Sequence, residues 1–167
     1  VIEAAWNWIN MTIPVISSTF ASFSRMCKNL GAETLGHLFI DEAGQALPQA
    51  AVGAIYRSRH VMVVGDPLQI KPVLTLDSNT LYMLGEHFGV TEKYLSASAS
   101  AQILADAASQ YGFYRKQDKA EDSWVGIPLW VHRRCRYPMF TISNMISYDG
   151  FMVQGMEKYG KTDWFDV

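Results

Sequence analysis

The stretches Leu38-Phe39-Ile40-Asp41-Glu42-Ala43-Gly44-Gln45 and Val61-Met62-Val63-Val64-Gly65-Asp66-Pro67-Leu68-Gln69 decide the fold. Each is a short apolar run that ends abruptly in acidic, glycine and amide residues. A buried parallel strand reads this way when its carboxyl end delivers polar groups to a ligand. Between the runs, residues 45–57 carry Leu47, Ala50, Ala51, Ala54 and Ile55 as an apolar stripe, so a helix is expected there. Pro48 falls in its first turn, where a missing N–H costs little. Strand, helix and strand together make an α/β crossover. Adjacent Asp41 and Glu42 suit magnesium-bound phosphate: one carboxylate holds the hard cation and the other takes a proton from water.

Working outward, Ile13, Val15 and Ile16 predict a strand over 12–17. Ser18 and Thr19 then precede a helical pattern with Phe20, Phe23, Met26, Cys27 and Leu30 on one face and Gly31 as its stop. Strands are expected over 35–40 and 60–64. Helices are expected over 77–88, ending at Gly89, and over 100–111. Residues 117–122 are polar and charged and read as a surface loop or interdomain linker. A short strand follows over 127–131. Residues 137–148 form an amphipathic helical pattern with Met139, Ile142 and Ile146 at helical spacing. There is no internal repeat.

The bulk numbers bound the class. A chain of 167 residues that is 49% hydrophobic and 18% charged has ordinary globular composition, with room for one core and part of a second. A net charge of -2 gives no global basic field, which leaves a locally basic groove as the route to nucleic acid. Two cysteines, Cys27 and Cys135, are too few and too separated for a disulfide framework, so a reduced, cytoplasmic setting is expected. No apolar run approaches the ~18 residues of a membrane span. The chain opens on Val1 without a signal peptide and reads as a segment of a larger protein.

Three ordered motifs carry a family resemblance. Asp41-Glu42-Ala43-Gly44-Gln45 matches the DEAxQ form of helicase motif II. Gly65-Asp66-Pro67-Leu68-Gln69-Ile70-Lys71-Pro72-Val73 matches the GDPxQLxPV form of motif III. Leu129-Trp130-Val131-His132-Arg133-Arg134-Cys135-Arg136-Tyr137-Pro138 resembles motif IV, near LxxQYRMxP. In order and spacing the chain resembles the superfamily 1 helicases, in the branch related to the nonsense-mediated decay helicase. The likeness runs from about Ile13 to Met152. Motif IV departs from the pattern at His132, Arg133 and Cys135, and one extra residue separates the arginine from the proline.

The resemblance implies an α/β, RecA-like P-loop NTPase fold in part, a parallel sheet flanked by helices. Residues 1–118 would be the C-terminal half of a first RecA-like domain with an insertion after motif III. Residues 119–167 would be a linker and the start of a second. The implied activity is ATP hydrolysis with Mg2+, coupled to movement on single-stranded DNA or RNA. Asp41 would hold magnesium and contact ATP, and Glu42 would orient or deprotonate the attacking water. Gln69 would sense the terminal phosphate, and Arg134 would act as an in-chain arginine finger. Ser18 and Thr19 read equally as helix caps and as contacts to the nucleic-acid backbone. Asp66 reads as structural. His37, His60 and His87 have no metal-ligand spacing with the cysteines.

Gly155-Met156-Glu157-Lys158-Tyr159-Gly160-Lys161-Thr162 spells the phosphate-loop pattern GxxxxGK[ST]. That mechanism needs a strand before the loop and a helix after it. Only five residues follow Thr162, so the match reads as coincidence. Without a phosphate loop this chain alone is expected to be inactive, its partners being single-stranded nucleic acid and the remainder of the helicase chain. The alternative is a non-catalytic RecA-like module that binds nucleic acid or protein.

Overall fold

The computed structural model describes residues 1–66, 70–74, 76–91, 94–95, 99–115 and 123–156. It is a mixed α/β chain with small parallel strand pairs and flanking helices. The chain forms two compact units, Val1–Gln110 and Tyr111–Val167. The expected linker over 117–122, Gln69, and most of the phosphate-loop spelling lie outside the described residues.

In the first unit the crossover is present. Strand β1 (Leu35–Ile40) pairs in parallel with β2 (Ser58–Val63), with His37 opposite His60 and Ile40 opposite Val63. Helix α3 (Pro48–Tyr56) joins them, with Pro48 in its first turn. Leu38, Ile40 and Val63 share one sheet face. They pack with Phe20, Ile55 and the buried Ala43, Ala46, Ala51 and Ala101 as the core. Small alanines here let helices approach the strands closely. Arg57 ties α3 to the preceding segment. Its Nε donates to the carbonyls of Cys27 and Leu30, and Nη1 donates to Gly53. Cys27 is buried beneath it; burial pushes the thiol up, against a smaller opposing pull from the Arg57 charge.

Other elements fall near their expected places, with shifted ends. Helix α2 (Phe20–Met26) is capped by Thr19 but stops well before Gly31, because a turn at 27–29 buries Cys27 and Leu30 instead. Helix α4 (Ser78–Phe88) starts at Asp77 and ends on Gly89 in the left-handed conformation, φ 66°. Helix α5 (Ala101–Ala108) is capped by Ser100 and ends short of Tyr111. The strand expected over 12–17 is absent. A helix, α1 (Ile2–Thr12), runs to its start, and residues 13–19 have no regular structure. Alternating apolar residues make a strand only where an edge accepts them, and Pro14 removes one of the donors that pairing needs. Ile13 and Val15 remain exposed.

The second unit contains an antiparallel pair that the sequence patterning did not reveal, β3 (Phe113–Arg115) with β4 (Ser123–Val125). The Tyr114 and Trp124 rings meet across it. The strand expected over 127–131 shrinks to β5 (Val131–His132), parallel to β6 (Val153–Gln154). Helix α6 (Met139–Ser147) connects them. Buried Asn144 fixes its exit: the amide donates to the Met152 carbonyl and its oxygen accepts the Met152 N–H, both at 3.0 Å. Arg115 donates to Asp149 at 2.8 Å and to the Ser147 carbonyl, holding the hairpin to the same turn.

The N-cap of α4 titrates. Hydrogen bonds from the Thr80 side chain and backbone hold the Asp77 carboxyl below its ordinary value. A lowered folded-state value means the cap stabilises the helix above the unfolded value of about 3.9, and that contribution disappears as pH falls through the lower folded value. Amide exchange at Thr80 and Leu81, corrected for intrinsic rates, should therefore speed up on acidification below about pH 4. Asp77→Ala should remove that pH dependence; an identical profile in the variant would show that the cap contributes nothing.

Candidate functional site

The carboxylate pair sits where β1 leaves the sheet. Strand pairing continues for one step beyond Val63, with the Val64 N–H donating to the Ile40 carbonyl at 2.8 Å. The chain then turns. The Ala43 N–H donates back to the Val64 carbonyl at 3.0 Å, Gln45 N–H to Glu42, and Ala46 N–H to Ala43. Asp41 and Glu42 lie on the outside of this turn and are exposed, while Ala43 and Gly44 are buried beneath them. The apolar run thus anchors the turn, and the carboxylates are carried at its tip.

Each carboxylate has a defined local partner. One oxygen of Asp41 accepts the Glu42 N–H at 2.9 Å, and one oxygen of Glu42 accepts the Gln45 side-chain amide at 3.3 Å. Glu42 itself has φ 52°, a left-handed backbone unusual for a residue with a side chain. Gln45 is a site residue that motif reading left without a role. Its signal was the i, i+3 spacing of an acid and an amide across a tight turn.

Gly65 also gains a different role. No positive φ is required of it. A Cβ built there would stand 2.6 Å from the Gly44 nitrogen and 2.7 Å from the Ala43 nitrogen. Only glycine lets the end of β2 lie against the carboxylate turn. Asp66 follows it and is hydrogen-bonded or paired within the chain.

A magnesium ion bound at this turn would have to be shared with groups outside the protein. Among the described residues no group of three or more His, Cys, Asp or Glu is placed to form a protein cage. Mg2+ is ordinarily held by one or two carboxylates together with phosphate oxygens and water. Asp41, exposed at a strand tip with one oxygen engaged by backbone, offers that kind of partial site.

The remaining expected site residues are placed as follows. Thr19 accepts the Ser22 N–H at 3.3 Å as the cap of α2, and the Ser18 hydroxyl donates to the Thr19 carbonyl. Both are exposed and serve the helix start. Arg134 belongs to the second unit, exposed on the turn after β5. That turn is closed by His132, whose Nε2 accepts the Cys135 N–H at 2.9 Å while its ring packs on Phe140. The imidazole therefore does structural work in this turn. Gly155 follows β6 and lies against Val131 and the Arg133 stem, with no room for a Cβ.

Three comparisons bear on identity: no family model matches the chain, and neither a curated protein nor a solved structure matches it. Among the described residues no helix is long and apolar enough to cross a membrane.

The close approach at Gly65 is testable. Gly65→Ala forces a methyl into backbone that cannot swing aside, and overpacking of this kind costs about 1–3 kcal/mol. The urea midpoint should fall accordingly with the slope unchanged. A loss below about 0.5 kcal/mol, the range of an ordinary surface change, would mean that the turn and the β2 end separate freely.

Proposed function

We propose that this chain is part of an ATP-dependent nucleic-acid helicase or translocase of RecA-like fold, acting with Mg2+ on single-stranded DNA or RNA in the cytoplasm. The observation that carries this reading is the carboxylate turn. Two adjacent acids stand at the carboxyl end of a parallel strand, and the end of the next strand brings Gly65 against Ala43 and Gly44 of their turn. Ligands of open α/β sheets bind at the carboxyl ends of strands.

The proposed roles follow the resemblance of the motifs. Asp41, at the strand tip, is the proposed magnesium contact. Bound magnesium would neutralise phosphate charge. Glu42 is the proposed base: it is exposed, and the Gln45 side-chain amide donates to one of its oxygens. Gln69 is the proposed phosphate sensor. Arg134 of the second unit is the proposed arginine finger; it stands exposed on a turn that His132 makes rigid. The open face of the β1–β2 pair also supports a larger core. Phe39 is 67% exposed and Met62 57%, although parallel strands are ordinarily covered on both faces. The remainder of the helicase chain is the proposed cover.

Glu42→Gln, in a protein carrying the rest of the core, should keep ATP binding and cut turnover by roughly 10²–10⁴. Steady-state hydrolysis close to wild type would overturn the assignment.

Arg134→Ala should depress hydrolysis far more than nucleotide affinity, by up to roughly 10³–10⁵, since a finger acts on transition-state charge. Damage from Arg133→Ala or Arg136→Ala, with Arg134→Ala silent, would move the finger to a neighbouring position.

A further inference from the structure

The first turn of α5 is joined to the carboxylate turn through backbone. The opening N–H groups of a helix have no acceptor within it. In α5 three of them have found one elsewhere. Ala101 N–H donates to the Ala46 carbonyl at 2.8 Å, Gln102 N–H to the Ala43 carbonyl at 3.2 Å, and Ile103 N–H to the Ser100 hydroxyl at 3.3 Å. Two of the three therefore go to the turn that carries Asp41 and Glu42. Ser100 is 2% exposed and Ala101 1%, so water does not compete for these bonds.

Glu42 needs such a clamp. A left-handed backbone at a non-glycine residue persists only where its surroundings over-determine it. The residue after it, Ala43, is held at both polar groups: its N–H by Val64 and its carbonyl by Gln102. We propose that α5 is a positioning element for the carboxylate pair. Its first-turn amides, with Gln102 at the centre, keep Glu42 in its left-handed conformation, and a displacement of α5 releases it.

The Gln102 side chain shows how the clamp is balanced. Nε2 donates to the buried Asp106 carboxylate at 3.2 Å, while Oε1 is buried without a donor among the described residues. A buried acceptor without a partner disfavours the arrangement that contains it. The backbone bonds hold α5 in place against that cost, and moving α5 outward would let water reach Oε1.

The consequence for turnover rests on the hydrolytic reading of Glu42, whereas the clamp itself does not. Ala101→Pro is the probe. Proline is well accepted at the first helical position, and Ser100 already has the extended backbone, φ -134° and ψ 164°, that a residue before proline favours. The substitution keeps the helix start and deletes the N–H to Ala46. Hydrogen exchange on the 167-residue chain should speed up roughly three- to tenfold at Ala43, Gln45 and Ala46, with Phe39 and Met62 unchanged. Ala101→Gly, which keeps the amide and adds no atom to the core, should leave exchange at 43–46 closer to wild type than the proline variant does. Ser100→Ala, which loosens the same turn by removing the Ile103 acceptor, should act in the same direction if the proline variant does not fold. In a longer protein that hydrolyses ATP, Ala101→Pro should lower kcat with KM for ATP unchanged. Absence of hydrolysis in the unsubstituted protein would defeat the helicase reading and leave the exchange result to decide the clamp. Unchanged exchange at 43–46 while the α5 start loosens, or equal loosening by Ala101→Gly, would overturn the proposal.

Discussion

The peptide groups on either side of Ala43 are the constraint on which the first unit depends. At the end of β1 the ladder to β2 runs out, and the chain still has buried N–H and C=O groups to satisfy. Val64 supplies the acceptor, Gln102 the donor, and Gly65 the space. Ala43 is fully buried between them. This one residue therefore joins three segments that are distant in sequence: the carboxylate turn, the β2 end and α5. A larger side chain at 43, or any Cβ at 65, would open the same junction. The small residues there follow from how closely three pieces of backbone approach.

That junction bears on the reading of Glu42. A residue with a side chain pays about 1–2 kcal/mol to adopt a left-handed backbone, and glycine would relieve it. Asp149 shares the conformation, φ 52°, but it is an aspartate in a turn, a residue type that tolerates it. Glu33 shares it on an exposed loop. Glu42 differs in being followed by two buried residues that cannot relax around it. A carboxylate held at such a position, with Gln45 donating to one oxygen, fits the role proposed for it. Asp41 contributes to the same end by taking the Glu42 N–H, which the turn would otherwise leave unpaired.

The parts of the fold legible in the sequence are those set by local chemistry. The bounds of β1 follow from an apolar run closed by acids. The ends of α4 follow from a capping aspartate and a glycine that accepts the left-handed backbone. The parts that failed depend on distant partners. Ile13, Val15 and Ile16 alternate as a strand does, but alternation describes a face and supplies no neighbour to pair with. The three-residue β3 and β4 are too short to show a period, and their pairing depends on Gly112, where a Cβ would meet the Val125 carbonyl and the Trp124 ring. At the candidate site, the placement of Asp41 and Glu42 just beyond a strand was legible because the apolar run stops where the adjacent acids begin. The α5 clamp was not, because it is made by backbone amides that every residue except proline carries.

The two faces of the sheet differ in cover. Paired residues in a parallel ladder share a face, so His37, Phe39, His60 and Met62 lie together opposite the core. The two imidazoles stack with ring centroids 5.0 Å apart, which shields part of their surface, yet Phe39 and Met62 beside them remain mostly open. An antiparallel pair tolerates such a face by alternating polar residues outward; a parallel pair ordinarily has helices on both sides. Here the α3 and α5 side is closed with alanines at close range, while the other side presents an aromatic and a thioether. The same two strands therefore do two things. Their carboxyl ends are pinned tightly enough to hold Glu42 in a strained conformation, and their open face has the composition of an interior layer. Both properties are expected of two strands within a larger sheet, and the proposed function supplies such a sheet.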